Sequence, residues 1–300
     1  MAAAFRLRRP ARVPPHLYFL VSAVFHYLGP AFAVLLFASV APLGVAWLRI
    51  ASAAVVFAVW RWPWRAFRAS SNAARRTVIL LGIVLAAMNV VFYLAIARLP
   101  LGTVGAIEFL GPIGLAAAGM RNARNFAALA LAAAGVYVLT GIRIAGEPLG
   151  FVFAFANCAL FMLYVVLGHR IAGEGGAAGV DRLAGAMLVA MVAAFPVGVA
   201  DAAPAFAAPL LLLAGIGVGI SSSVIPYVCD QLAMARLPRA TFALLLALLP
   251  ATASAIGLLV LRQVPSARDL VGIALVIAGV AVHREPQPAP GGKANPSAST

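Results

Sequence analysis

Three ionisable side chains lie inside long apolar stretches of the 300-residue sequence: Glu108, Asp230 and Arg49. A charge within hydrocarbon is costly unless it is paired, hydrated or neutralised, so each residue is a candidate for a solute or ion pathway. Glu108 could carry a proton or hold a solute ammonium, and Arg49 could bind a solute carboxylate. The alternatives are a carboxyl that only hydrogen-bonds to a neighbouring helix, and an arginine that extends to the membrane surface.

Neutral polar side chains accompany these charges. Asn89 and Tyr93 are one helical turn apart, so an amide and a phenol share one helix face. Tyr164 and Tyr227 lie in two other apolar segments. Asn89 and Tyr93 could contact a solute or hydrogen-bond between helices. Tyr164 and Tyr227 could contact a solute, pack in the interior or lie at a membrane surface. We interpret His26 as a packing histidine, with a pH-sensing role as the alternative.

The sequence contains no arrangement typical of an enzyme or a metal site. The four histidines lack metal-binding spacing, and no activated serine with a base is evident. Cys158 and Cys229 both lie in apolar segments, where two lone thiols favour neither a disulfide nor a metal. We therefore predict a non-enzyme without cofactor or metal.

Membrane-spanning helices must position these residues. The chain is 64% hydrophobic and 10% charged, whereas about a quarter of the residues in a soluble domain are charged. Apolar runs of about 20 residues, enough to cross a bilayer, follow one another. The first is too long for a cleaved signal peptide. We predict an all-α integral membrane protein, partnered by lipid, with ten transmembrane helices at 17–38, 43–62, 77–97, 102–120, 125–141, 150–169, 181–200, 209–234, 239–260 and 267–284.

The basic residues indicate topology rather than nucleic-acid binding. The net charge is +14, but arginines sit at the ends of apolar runs and not on one basic, aromatic face. With a cytoplasmic N-terminus, seventeen Lys and Arg residues fall on the inner side and four on the outer side. Inner loops normally carry this excess. We predict an inner-membrane protein with both termini in the cytoplasm.

An internal repeat divides the chain into halves. Residues 95–100 reappear as 233–238, and the offset of 138 residues also pairs Pro112 with Pro250. The offset spans five predicted helices, an odd number, so the second copy must cross the membrane in the opposite orientation. We predict inverted five-helix repeats at 17–141 and 150–284, between a basic N-terminus at 1–16 and a disordered tail at 285–300. Transporters with this architecture bind solute near the midplane.

Pro112 and Pro250 fall inside the fourth and ninth predicted helices. Proline removes a backbone donor and bends a helix. Their paired positions favour a gate or a bend that lines the site, although membrane helices also tolerate prolines without any such role.

Segments 87–94, 99–102 and 107–112 resemble the bacterial threonine/homoserine exporters, which belong to the EamA branch of the drug/metabolite transporter superfamily. Weaker similarity extends over residues 17–283. The resemblance implies ten helices, cytoplasmic termini, a central cavity lined by both halves, and proton-coupled efflux of amino acids or related metabolites. The site positions that carry over are Arg49, Asn89, Tyr93, Glu108, Pro112, Tyr164 and Tyr227.

Several positions depart from the family pattern. The family has Glu at Asp230, Glu at Leu249, Gly-Glu at Arg262-Gln263 and Trp at Phe161. The resemblance therefore implies that proton coupling rests on Glu108, with a weaker contribution from Asp230.

We expect an efflux transporter for a small-molecule solute, most simply an amino acid such as threonine or homoserine. The alternatives are an exporter of another metabolite or drug, and a membrane scaffold or receptor. A scaffold or receptor would leave the repeat and the intramembrane Glu108 unexplained.

The charge distribution generates a topology prediction. Reporters fused to the N-terminus and to the C-terminus should both be active only in the cytoplasm, because the basic residues hold the inner loops there. A periplasmic C-terminus would contradict an even number of spans.

Overall fold

The computed structural model describes residues 14–108, 110–111, 123–140, 147–172, 176–237, 242 and 249–282. Within these ranges every regular element is a helix, which confirms the predicted all-α class. Pro112, the basic segment 1–13 and the predicted tail 285–300 lie outside the described residues.

The helices begin and end close to the proline, glycine and arginine breaks of the sequence. Several start with proline in the first turn. Backbone N–H groups there have no acceptor within the helix, so the absence of an N–H on proline costs no hydrogen bond. The described helices are α1 (Pro15–Leu36), α2 (Pro42–Arg61), α3 (Pro63–Ala69), α4 (Asn72–Ile96), α5 (Leu101–Glu108), α6 (Ala123–Thr140), α7 (Pro148–Ala172), α8 (Gly176–Gly198), α9 (Ala203–Ala207), α10 (Pro209–Gly219), a π-helical segment (Ile220–Val224), α11 (Ile225–Met234), α12 (Leu249–Leu261) and α13 (Ala267–Val282).

Six helical segments of the described chain are long and apolar enough to cross a membrane. They are α1, α2, α4, α7, most of α8 and the continuous run from α10 through the π-helical segment to α11. Shorter apolar helices lie within α6 and at α12. The described residues thus confirm a multi-pass helical membrane protein.

The helices pack in pairs around a common interior. Extensive contacts join α2 to α8, α6 to α13 and α5 to α12. The helix α4 packs against α7 and α8, while α1 packs along the run from α10 to α11. This arrangement brings the middle parts of α1, α2, α4, α5, α7 and α11 together.

Apolar side chains cover the outside of the bundle as well as filling much of its interior. Large apolar residues such as Leu210 and Leu259 are exposed on the outside of the bundle, where lipid would contact them. The largest fully buried side chains include Tyr27, Tyr93 and Tyr164. Polar groups therefore gather in the interior, which is where the candidate site lies.

Close packing of α4 on α8 depends on Gly82. A β-carbon there would overlap the Val189 side chain and the Ala186 carbonyl oxygen. Gly82→Ala should therefore destabilise the protein by about 1–3 kcal/mol, measured as a lower thermal unfolding midpoint in detergent. Gly217→Ala is the matched control, because a β-carbon at Gly217 meets nothing within 4 Å. Equal midpoints for the two variants would contradict this packing.

Candidate functional site

Glu108 ends the described part of α5 and is only 2% exposed. Its carboxylate accepts hydrogen bonds from the Tyr27 hydroxyl at 2.9 Å and from Asn157 Nδ2 at 3.0 Å. These donors come from α1 and α7, so one carboxylate joins three helices. The Asn157 Oδ1 atom is buried and makes no hydrogen bond within the described residues. A donor on a solute could therefore bind beside Glu108.

Asp230 in α11 is the second buried carboxylate, and it is 5% exposed. Ser22 Oγ donates to it at 2.5 Å and the Tyr164 hydroxyl donates at 2.9 Å. The two acids are thus held alike, each by one tyrosine and one smaller polar side chain. Both have neutral donors in place of a cation.

Arg49 supplies the buried positive charge. It is 3% exposed, so the alternative in which it extends to the membrane surface is wrong. Its Nε atom donates to Ser223 Oγ at 2.8 Å, and its Nη2 atom donates to the Ser222 carbonyl oxygen at 2.6 Å. The guanidinium also lies 5.5 Å from the ring centroid of Tyr93, within cation–π distance. Among the described residues, no carboxylate lies within 4.0 Å of it.

The π-helical segment supplies both of these acceptors to Arg49. A π turn disturbs the regular bonding of an α-helix, and such turns are frequent at functional sites. Here Ser222 presents its carbonyl oxygen to Arg49 while its hydroxyl donates to the Val218 carbonyl. The three serines at 221–223 lie within this segment.

Asn89 and Tyr227 meet at the centre of the bundle. Asn89 Nδ2 donates to the Leu85 carbonyl at 2.7 Å and contacts the Tyr227 hydroxyl at 3.4 Å. Arg49 Nη2 reaches the same hydroxyl at 3.4 Å. Tyr227 therefore links the amide on α4 to the guanidinium on α2.

These groups line two small interior cavities. The first has a volume of about 10 Å³ and is lined by polar residues from six helices, namely His26, Arg49, Asn89, Glu108, Asn157 and Tyr227. The second also measures about 10 Å³ and includes Ser22, His26, Tyr164 and Asp230. We call them the Glu108 chamber and the Asp230 chamber. His26 lines both chambers.

The structure brings together most of the predicted site residues. Arg49, Asn89, Glu108 and Tyr227 line the Glu108 chamber, whereas Tyr164 and Asp230 line the Asp230 chamber. Tyr93 lies against Arg49. Pro250 is buried at the second described residue of α12, and its carbonyl accepts from Ser254 Oγ at 3.0 Å. Its proposed partner Pro112 lies outside the described residues.

Several site residues were missed by sequence reasoning. His26, which the sequence assigns to packing, does pack its ring 5.5 Å from that of Tyr27, and it also lines both chambers. Asn157, Ser222 and Ser223 were not singled out. A single amide within an apolar helix and a run of three serines were the available signals.

The arrangement presents opposite charges to one small chamber. Arg49 can bind a carboxylate in bidentate fashion, and Glu108 with Asn157 Oδ1 can accept from an ammonium. The described residues contain no group of three or more His, Cys, Asp or Glu side chains that could hold a metal. The protein is a multi-pass helical bundle whose buried charged side chains are held by neutral groups around an interior chamber. These are the features of a solute transporter.

Comparisons with known proteins agree with this class. The chain is 30% identical over 253 residues to the threonine/homoserine exporter RhtA of Escherichia coli K12, covering 83% of this chain and 84% of that protein. It is 29% identical over 270 residues to RhtA of Salmonella typhimurium SL1344, with 86% and 89% covered. The chain belongs to the family of these exporters, within the drug/metabolite transporters, and is a multi-pass inner-membrane transporter.

A solved crystal structure shares the fold. Its TM-score is 0.58 at 21% identity, and the match covers 89% of this chain and 96% of that chain. No family model matches the sequence.

The bonds of Arg49 generate a testable prediction. Arg49→Lys keeps the charge but cannot bind a solute carboxylate in bidentate fashion, because an ammonium lacks the planar fork of a guanidinium. The variant should therefore lose one charge-assisted hydrogen bond to the solute. Solute efflux from reconstituted vesicles should fall roughly tenfold. Exposed Arg98→Lys is the control and should retain the wild-type rate. A wild-type rate in Arg49→Lys would remove Arg49 from the site.

Proposed function

We propose that the protein exports small zwitterionic amino acids of the threonine and homoserine type across the inner membrane. One observation carries the proposal: Arg49 and Glu108 line the same chamber, and each is held by neutral groups. The solute carboxylate replaces the serine contacts of Arg49. The solute ammonium replaces the Tyr27 or Asn157 contact of Glu108.

The neutral partners make this exchange favourable. Breaking a buried ion pair would leave two uncompensated charges and would cost several kcal/mol. Replacing a hydroxyl or carbonyl partner by a charged group of the solute instead strengthens the hydrogen bond. A zwitterion therefore gains contacts at both ends while its own charges are neutralised.

The chamber must expand to bind a solute. A volume of about 10 Å³ is close to the minimum for a single water molecule. The described conformation is thus closed at the centre, and helix movement must open it alternately to the two sides of the membrane. The solute crosses without chemical change, as in a transporter and not an enzyme.

We propose ten transmembrane helices in two inverted repeats. In this scheme the repeats pair α1 with α7, α2 with α8, α4 with the run α10–α11, α5 with α12 and α6 with α13. The packing supports it, since α2 contacts α8, α5 contacts α12 and α6 contacts α13. The pair α4–α7 also has its counterpart in the pair formed by α10–α11 with α1.

A hydrogen bond gives the repeat independent support. Asn89 and Tyr227, which contact each other at 3.4 Å, are separated by 138 residues. That is the offset of the sequence repeat, and equivalent positions can meet only near the axis that relates the two halves. In the proposed arrangement the polar site lies on this axis. The charge distribution supports a cytoplasmic location for both termini.

Glu108 is our candidate for coupling export to the proton gradient. Its carboxylate binds the solute ammonium on the cytoplasmic side and releases it on the outer side, where a proton takes its place. The proton is released to the cytoplasm when the empty carrier returns. One amino acid leaves for each proton that enters.

The function can be tested with purified protein in proteoliposomes. Efflux of threonine and homoserine should exceed that of the corresponding amino alcohols and deaminated hydroxy acids, because each analogue lacks one of the two charged groups. If the vesicles export an unrelated metabolite but neither threonine nor homoserine, the protein is instead an exporter of another metabolite or drug. Equal rates for the amino acids and both analogues would contradict recognition of a zwitterion.

The two carboxylates should differ in their effect on coupling. Glu108→Gln keeps the shape and one acceptor but cannot titrate, so its efflux should lose pH dependence over a pH series. Asp230→Asn is the matched control and should cause a smaller loss, since Arg49 lines only the Glu108 chamber among the described residues. A wild-type rate and pH profile in Glu108→Gln would reduce this carboxyl to a structural group.

A further inference from the structure

A third and larger cavity lies beyond the central site. Its volume is about 230 Å³, and its lining includes Pro100, Gly102 and Thr103 at the start of α5, Ser254 and Gly257 in α12, and Gln263 after α12. At about 30 Å³ per water molecule, this volume corresponds to about eight waters. A solute with a similar number of non-hydrogen atoms, such as a small amino acid, fits within it.

Polar side chains line part of this cavity. Thr103 is 3% exposed and is one of them, so its hydroxyl can donate to a solute and accept from it. The adjoining hydroxyl of Ser254 donates to the Pro250 carbonyl, which leaves its lone pairs as acceptors.

Gln263 fixes one wall of the cavity. Its Oε1 atom accepts from the Leu101 backbone N–H at 3.1 Å, and its own backbone N–H donates to the Gly257 carbonyl at 3.1 Å. The side chain thus ties the start of α5 to the end of α12. Its amide nitrogen is a further donor at this wall.

The helix α5 connects this cavity to the central site. Thr103 precedes Glu108 by five residues, about 7.5 Å along the axis at 1.5 Å per residue. Between them, a β-carbon at Gly105 would lie 2.8 Å from Ala253 Cβ and 2.9 Å from Tyr27 Oη. At Gly105, α5 is therefore packed directly against Ala253 and Tyr27. Tyr27 also donates to Glu108, so a solute that displaces this bond also acts on the packing between the two sites.

We propose that this cavity is a release site, where the exported amino acid binds after it leaves Glu108 and before it enters the periplasm. Thr103, Ser254 and Gln263 can both donate and accept, which suits a small amino acid that carries a hydroxyl group. Asp269 also lines the cavity and adds a carboxylate, whose Oδ2 atom accepts from the backbone N–H and hydroxyl of Ser266. The release site rests on the proposed function and on the predicted orientation of the protein in the membrane, which places the start of α5 at the outer face. The Asp230 chamber, the Glu108 chamber and this cavity then follow one another from the inside to the outside.

Cysteine labelling tests the site without depending on efflux. Cys158 and Cys229 are replaced by alanine, Ser254→Cys is added, and a membrane-impermeant methanethiosulfonate is applied to the outside of right-side-out vesicles. Labelling should be rapid, and external threonine should slow it at least threefold in a saturable manner. Exposed Glu147→Cys is the control, and threonine should leave its labelling rate unchanged.

A second variant tests the chemistry of the site. Adding Thr103→Val removes only the hydroxyl, so the threonine concentration that gives half-maximal protection should rise about fivefold, the equivalent of one hydrogen bond. Efflux is measured on the same vesicles. Labelling without protection in vesicles that still export threonine would overturn the release site alone. Labelling only from the inside would overturn its outward position, and absence of efflux of any amino acid would reject the proposed function itself.

Discussion

The cost of a charge in hydrocarbon is the constraint on which the rest of the structure depends. Arg49, Glu108 and Asp230 are all at least 95% buried, and none can remain inside a membrane without donors or acceptors around it. The protein provides these from separate helices. Glu108 requires α1 and α7, whereas Arg49 requires the π-helical segment. The requirement to solvate three charged side chains therefore helps to fix how the helices pack.

The kind of solvation determines what the site can do. An arginine paired directly with a carboxylate would hold the helices together but would resist a solute, because both charges would have to be exposed again. Here hydroxyls, an amide and a backbone carbonyl hold the charges. Such groups return to water or to each other at lower cost when a solute replaces them. The same bonds that stabilise the closed bundle can thus be exchanged during transport.

The sequence predicted the all-α membrane class and the charged side chains of the interior for one physical reason. Burial in lipid restricts composition so strongly that apolar length alone reveals helices, and any charge within them is conspicuous, as Glu108 and Arg49 were. Spacing along one helix also placed Asn89 and Tyr93 together. The topology of the termini and the roles of the site residues stay predictions.

Features that depend on contacts between distant segments were not predictable. Asn157 reaches Glu108 only because α7 packs beside α5, and His26 lines the same chamber only because α1 enters the bundle. Neither residue has a local signal stronger than its polarity. The π-helical turn at Ile220–Val224 has no distinctive sequence pattern, yet it directs Ser222 towards Arg49. The position of Arg49 was left open between membrane surface and interior because depth within a helix does not determine side-chain direction.

The central claim is that Arg49 and Glu108 bind the two ends of one zwitterion. Equilibrium binding of threonine, its deaminated hydroxy acid and its amino alcohol to the wild type and to Glu108→Gln tests this most directly. The account predicts that Glu108→Gln weakens threonine and the amino alcohol by roughly tenfold or more, the value of a charge-assisted hydrogen bond, and leaves the hydroxy acid unchanged. Equal weakening of all three ligands would contradict the claim, since the carboxylate would then shape the chamber without contacting the ammonium.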